Sequence, residues 1–254
     1  TSKNTKVKAG NYHKHLLAGN PHHEAVIRYA AGARLWNTKQ TIPWSDSGPR
    51  IVTMENLFNG GYKRTLDERK AEFERLVDVF INVYPTLISA GAFQLGDLFD
   101  REEYPAPEEL AKKFRFSYTL TPIPTAGDFR IEIGEQAKAE LVAQYETAFN
   151  ERLNHAMRDV WQRLYECLTH MSERLSSDDE GKRKVFHGTI LTNAHELVNL
   201  LSRLNITNDP KLEQARRELN AALTHTDLDT LKESDYIREN VKPKVDDILK
   251  RFEW

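Results

Sequence analysis

Residues 65 to 92 read TLDERKAEFERLVDVFINVYPTLISAGA, and the reading of this stretch decides the fold. Leu66, Phe73, Val77, Phe80, Tyr84 and Leu87 are separated by 7, 4, 3, 4 and 3 positions, which sets them on one stripe of an α-helix. A helix with such a stripe buries it against a neighbour. Thr65-Leu66-Asp67-Glu68 has the form of a capping box. In that motif the Thr65 hydroxyl accepts from the Glu68 amide and the Glu68 carboxylate accepts from the Thr65 amide, so the helix is expected to begin at Thr65. Pro85 has no N–H for the Ile81 carbonyl, which predicts a kink or break between Tyr84 and Leu87. Gly91 and Gly96 are expected to help end the segment.

The helical period returns at Glu135 and runs to Leu175, with Leu141, Tyr145, Ala148, Val160, Trp161, Leu164, Leu168, Met171 and Leu175 on a broad apolar face. Between the two long helices the period changes to two. Phe114, Phe116, Tyr118 and Leu120 alternate with polar residues, as do Phe129, Ile131 and Ile133, and Thr121 to Asp128 reads as the loop of a β-hairpin. The N-terminal side carries a helix signal at Asn20-Pro21, with Ala25, Val26, Tyr29 and Leu35 leading to Trp36. Thr41 to Gly61, with Pro43, Gly48, Pro49, Gly60 and Gly61, reads as an ordered connector anchored by Trp44, Ile51, Val52, Leu57 and Phe58. After the polar stretch Ser176 to Lys184, Ile190, Leu191, Ala194, Leu197, Val198, Leu201 and Leu204 return to helical spacing. Asp209-Pro210 and Thr226-Asp227 then read as further helix starts. The expected fold is mainly α: two long packed helices, a small two-stranded β-hairpin insert and a C-terminal helical module. Its expected divisions are 1–64, a basic helix and connector; 65–176, the long-helix core with the hairpin; and 177–254, the C-terminal module.

A chain of 254 residues can bury roughly 70 to 75% of its unfolded surface and needs no disulfide or metal to fold. One cysteine, Cys167, excludes an internal disulfide and gives no sign of an oxidising compartment, so an intracellular setting is the default expectation. The absence of an N-terminal apolar segment and of any run of ~18 apolar residues leads to the expectation of a protein outside the secretory route and the membrane. Residues 1 to 64 hold ten Lys/Arg against Glu24, Asp46 and Glu55, a balance of +7; since the whole chain carries −2, the remainder sums to −9. A basic segment ahead of an acidic body suits nucleic acid, an acidic partner or the body itself.

Catalytic motifs fail on spacing. His195-Glu196 has Asn199 where a zinc-protease helix needs its second histidine, and Cys167 has no histidine near it in sequence. His13, His15, His22 and His23 lack the carboxylates and thiolates of a metal site. Asp128 stands near the expected hairpin turn without a second carboxylate. Asn59 to Arg64 precedes a helix N-terminus, where an anion could bind, but does not have the spacing of a nucleotide-binding loop. The expectation is therefore no enzyme, no catalytic residue, no metal and no cofactor. Lys39, Trp44, Arg50, Tyr62, Lys63 and Arg64 form the one candidate binding set: the cations could meet phosphates and the rings could stack on bases, or the same groups could pin the connector to the protein core.

Gly48-Pro49-Arg50, Tyr84-Pro85, Leu95-Gly96-Asp97-Leu98-Phe99, Tyr104-Pro105, Phe114-Arg115-Phe116 and Asn205-Ile206-Thr207-Asn208-Asp209 occur in an order that resembles an uncharacterised bacteriophage and bacterial family of unknown function. The resemblance spans about residues 30 to 240. It implies phage or prophage origin, a setting in the host cytoplasm and genes that often lie near a MoxR-like AAA+ ATPase or a von Willebrand factor A-type protein. It implies no site residues. The functional expectation is a non-enzymatic helical scaffold or adaptor, working through protein contacts that include a AAA+ ATPase or a second copy of itself. The alternative is a DNA- or RNA-binding accessory protein that uses the basic segment.

Overall fold

Asn20 starts the first helix: its side-chain oxygen accepts from the amides of His22 and His23 at 3.1 and 2.9 Å, and Pro21 takes the first helical position. The computed structural model describes residues 14–252 except 18, 45–47, 124–134, 179, 225, 227, 228, 230, 232 and 233. It is 73% helical, with eight α-helices and one two-stranded antiparallel sheet among the described residues. The elements are α1 (Pro21–Gln40), β1 (Ile42–Pro43), β2 (Arg50–Ile51), α2 (Met54–Phe58), α3 (Tyr62–Leu95), α4 (Pro107–Ala111), α5 (Glu135–Leu175), α6 (Gly188–Leu204), α7 (Pro210–Leu223) and α8 (Asp235–Leu249). The mainly α class is as expected. Two compact units are present, 1–36 with 64–120 and 37–63 with 121–254. They cut across the expected divisions because α1 and α3 each continue from one unit into the other.

In the first unit, Phe73, Val77, Phe80 and Tyr84 of α3 are buried as their spacing predicts, together with Val26 of α1 and Tyr104. The helix starts at Tyr62, one turn before the expected Thr65. Gly61, with φ of +71°, makes the turn that a side chain would strain, and the buried Tyr62 ring holds the first turn, so Thr65 lies inside the helix and is not its cap. Nor does Pro85 break it. Pro85 lies on the exposed face, where the carbonyl it leaves unbonded can be hydrated, while Phe80 and Tyr84 hold the opposite face in the core. Gly91 is not a terminator but a close approach: a Cβ there would meet the Tyr104 hydroxyl at 2.8 Å. Gly96, at φ +51°, does end the helix, in the 3-10 turn Gly96–Leu98.

The expected strand at 114–120 is absent, although its alternation is real. Phe114 packs edge-on against Phe80 (5.7 Å between ring centres), Phe116 packs against Phe73 (5.8 Å), and the Tyr118 hydroxyl donates to Asp67. Alternate side chains thus descend along α3, so the period-two pattern meets a helix, and among the described residues no strand pairs with this segment. The second expected strand, with Asp128 and the loop from residue 124 onward, lies outside the described residues. The two-stranded sheet that does exist pairs Ile42 with Ile51 and Pro43 with Arg50, inside the connector.

In the second unit, α5 packs against α6 and α8, α6 against α7, and α7 against α8, so the four helices form a closed ring. Val160, Leu164, Leu168 and Met171 of α5 meet Ala194, Val198 and Leu201 of α6, Leu212 and Leu219 of α7 and Val245 of α8 in one core. The two long helices therefore each supply a separate core. Asp209 caps α7 through the Lys211 and Leu212 amides, as its place before Pro210 predicts, and also accepts from the Trp161 indole at 3.0 Å. Ser234 caps α8, a signal not singled out in the sequence; the expected start at Thr226-Asp227 falls largely outside the described residues.

Glu213, in the first turn of α7, accepts from Arg216 at 2.7 and 2.8 Å and from Arg217 at 2.8 Å. The Arg216 hydrogen bonds, opposed by burial and reinforced by Arg217, hold its carboxyl down at about 2 against an ordinary 4.5. A depressed carboxylate pKa stabilises the folded state above pH 4.5 and loses that contribution as pH falls toward 2. The pairs are local and partly solvated, so about 1 kcal/mol is expected. Urea unfolding of wild type against Glu213→Gln should show that gap at neutral pH and see it close by pH 2; a gap that is constant with pH would refute the assignment.

Candidate functional site

The expected binding set converges on the C-terminal end of α1, where a helix leaves its last carbonyls without amide partners and accumulates partial negative charge. Here side chains satisfy them one by one. Thr41 Oγ1 donates to the Asn37 carbonyl at 2.6 Å, Arg50 Nη2 to Thr38 at 3.2 Å, Arg163 Nη1 to Lys39 at 2.9 Å, and Asn56 Nδ2 to Gln40 at 2.8 Å. The Thr41 carbonyl accepts from both guanidiniums, at 3.1 Å from Arg50 and 2.8 Å from Arg163. Arg50 Nε also donates to Thr41 Oγ1 at 2.7 Å. Burial, and then the neighbouring Arg163 charge, lower the Arg50 pKa, while Asp159 opposes the shift. Asp159 lies 2.6 Å from Arg163 as an ion pair without the alignment of a hydrogen bond. Two like charges are tolerated together because the helix end and Asp159 face them.

The local sequence explains how these donors arrive. Ile42, fully buried, and Ile51 pair across β1 and β2, which brings Arg50 back beside Thr41. Thr53 caps α2 through the Asn56 amide, and Asn56 is itself fully buried. Gly60 must lack a side chain here, since a Cβ would lie 2.3 Å from Asn56 Oδ1. That contact explains the glycine without an anion. Phe58, expected as an anchor, is 66% exposed because α2 turns its Asn56 face inward.

The other expected contacts are distributed differently. Tyr62 is buried and its hydroxyl donates to Asn37 Oδ1 at 2.6 Å. Trp44 stands edge-on to Phe149, 5.3 Å between ring centres. Lys39 approaches Glu196 at 3.9 Å, Lys63 is half-buried, and Arg64 is exposed at 3.8 Å from Glu68. Arg50, Tyr62 and Trp44 thus serve internal contacts. Arg163, Asn56 and Asp159 were missed: Arg163 and Asp159 sit in the middle of a helical run, where a charged residue is ordinarily read as solvated.

A second feature lies in the first unit, an open groove of about 450 Å³ with Phe73 and Val77 at its base and Lys70, Glu74, Asp78 and Arg115 along its sides. Its opposite charges are interleaved, with Lys70 3.8 Å from Glu74, so it presents no field of one sign to a charged ligand. Among the described residues no three His, Cys, Asp or Glu side chains are placed to hold a metal ion. Cys167 is half-buried, and burial pushes its thiol up to about 11, which leaves little thiolate near neutral pH.

By length and composition one helical stretch, Tyr62–Leu98, is apolar enough to cross a membrane, with a mean hydropathy of 1.5 over 18 residues of which 22% are buried. A core helix that passes the same test is mostly buried, which this window is not, although Phe80 and Tyr84 within the stretch are core residues; one such helix is weak evidence of a membrane span. The chain matches no known family model, no curated protein and no solved structure.

Proposed function

We propose that the protein is a non-enzymatic helical scaffold or adaptor that works through protein contacts. The observation that carries this reading is the division of α5. Its second half contributes seven buried residues, Ala156, Met157, Val160, Leu164, Leu168, Met171 and Leu175, whereas residues 136 to 155 contribute none. Those twenty residues correspond to roughly 30 Å of helix. A helix draws most of its stability from covering its apolar face; this half has Leu141, Val142, Tyr145 and Ala148 at helical spacing, with Leu141 exposed and the other three only half-buried. A partner's helix or groove would complete it.

The resemblance to a phage family makes a AAA+ ATPase the first partner to try. The nucleic-acid alternative has less support, because Arg50, Trp44 and Tyr62 already have partners within the chain. Purification of the tagged protein from infected cells, with mass spectrometry, tests the proposal: wild type should retrieve a stoichiometric protein partner, and Leu141→Glu should lose it with unchanged circular dichroism. Retrieval that Leu141→Glu leaves intact would remove α5 as the contact. Retrieval of no protein, together with salt-sensitive oligonucleotide binding that a Lys63/Arg64 charge reversal abolishes, would favour the alternative.

A further inference from the structure

The outer face of α3 has a symmetry that the hydrophobic pattern alone does not bring out. Opposite the buried stripe, Arg75, Val79, Asn82, Thr86, Ala90, Phe93 and Asp97 follow one another at spacings of 4, 3, 4, 4, 3 and 4, a palindrome centred on Thr86. Asp97 belongs to the 3-10 turn that ends the helix. Asn82, Thr86 and Ala90 are exposed, Val79 is half-buried, and Phe93 is 92% exposed. From Val79 to Gly96 no residue is charged, roughly 27 Å of helix. Soluble helices ordinarily charge their outward face, whereas this one presents an uncharged run with Phe93 as its large exposed apolar side chain.

The geometry points to a second copy of this chain, packed antiparallel on this face with its two-fold axis at Thr86. An isologous contact of this kind needs a self-complementary surface; helical spacing alone makes the positions symmetric, and the opposite charges at the two ends, Arg75 and Asp97, supply the complementarity. Phe93 of each copy then meets Val79 of the other, Ala90 meets Asn82, and Thr86 meets itself. The ends decide the direction: antiparallel packing sets Arg75 against Asp97 twice, whereas parallel packing sets Asp97 against Asp97. Arg75 bonds Glu72 through Nε and Nη2, which leaves its Nη1 hydrogens for a second carboxylate. A lipid surface fits less well, because interfacial helices are rich in Lys and Arg beside the apolar face, and here Arg75 is accompanied by Asp78 and Asp97 at the bounds of the uncharged run. The inference rests on the protein-contact reading for its purpose and assigns it a different helix from α5.

Light scattering of the full chain across concentration, with cysteine cross-linking and vesicle flotation, tests it. Wild type should be a dimer at micromolar concentrations, and Phe93→Glu should weaken dimerisation by about tenfold or more with helicity unchanged, since the ring is not in the core. Thr86→Cys should give a disulfide-linked dimer on oxidation; native Cys167, with its raised pKa, reacts slowly. Arg75→Asp and Asp97→Arg should each weaken the dimer and together restore it. A monomeric wild type, a dimer indifferent to Phe93→Glu, or flotation with phosphatidylcholine or phosphatidylglycerol vesicles that depends on Phe93 would overturn the inference. A monomer that still captures its partner through Leu141 would overturn this inference alone.

Discussion

Phe80→Ala is expected to lower the unfolding free energy by about 3 to 5 kcal/mol, the range for removing a fully buried aromatic ring. Phe80 has no exposed surface, and its ring touches Tyr84 at 5.9 Å, Phe114 at 5.7 Å and His23 at 5.3 Å between ring centres. It therefore ties three pieces of the first unit: α3, the extended segment after α4, and the start of α1. The first unit has few buried apolar residues to collapse into the space left, Val26, Phe73, Val77, Tyr84 and Tyr104 being the rest of that cluster. Hydrogen exchange distinguishes this account from a general loss of stability. Amides of 64–95 should lose protection while those of 160–171 keep theirs, because the latter lie in the other core. A loss below about 1 kcal/mol, or equal loss of protection in both stretches, would contradict the packing described.

Arg163→Ala should cost about 2 to 3 kcal/mol, through lost hydrogen bonds more than through lost packing. The side chain is 18% exposed and bonds the carbonyls of Lys39 and Thr41 while pairing with Asp159. Its removal takes the donor from the Lys39 carbonyl, leaves the Thr41 carbonyl to Arg50 alone, and leaves an anion beside them without its partner, an arrangement that costs more than the pair itself contributes. The double variant Asp159→Asn with Arg163→Ala should recover part of the loss, because it removes the uncompensated charge. Chemical denaturation of the two single variants and the double variant measures this coupling. Additive effects within about 0.5 kcal/mol would show that the ion pair is incidental.

Much of the helical framework was legible from spacing. The limits of α5, Glu135 and Leu175, and the first residue of α1, Pro21, agree with the sequence reading, since an apolar period of 3.6 and a preceding Asn or Pro are local signals. The start of α3 was read one turn late. Thr65 and Glu68 satisfy the spacing of a capping box, but Tyr62 gains a buried ring and a hydrogen bond to Asn37, a residue 25 positions away, by entering the helix first. Phe114 and Phe116 misled in a similar way: alternation records an extended chain with one face covered and does not say whether a strand or a helix covers it.

The binding set was legible as residue types and not as geometry. Basic and aromatic groups between Lys39 and Arg64 suit phosphates and bases, yet a carbonyl at a helix C-terminus attracts the same guanidiniums, and Arg163 joins Arg50 there from 113 positions on. What the sequence determined by itself is local: which segments are helical, which stripe of each is apolar, where Asn20 and Asp209 cap, and that no motif for metal or nucleophilic chemistry has its full spacing. What the tertiary structure alone decided is which partner each apolar stripe finds, that α3 and α5 serve separate cores, and that Arg50 and Arg163 cap α1. The reason is physical. Helix periodicity and caps depend on neighbours within about four residues along the chain, whereas burial and charge compensation depend on groups brought together by the fold.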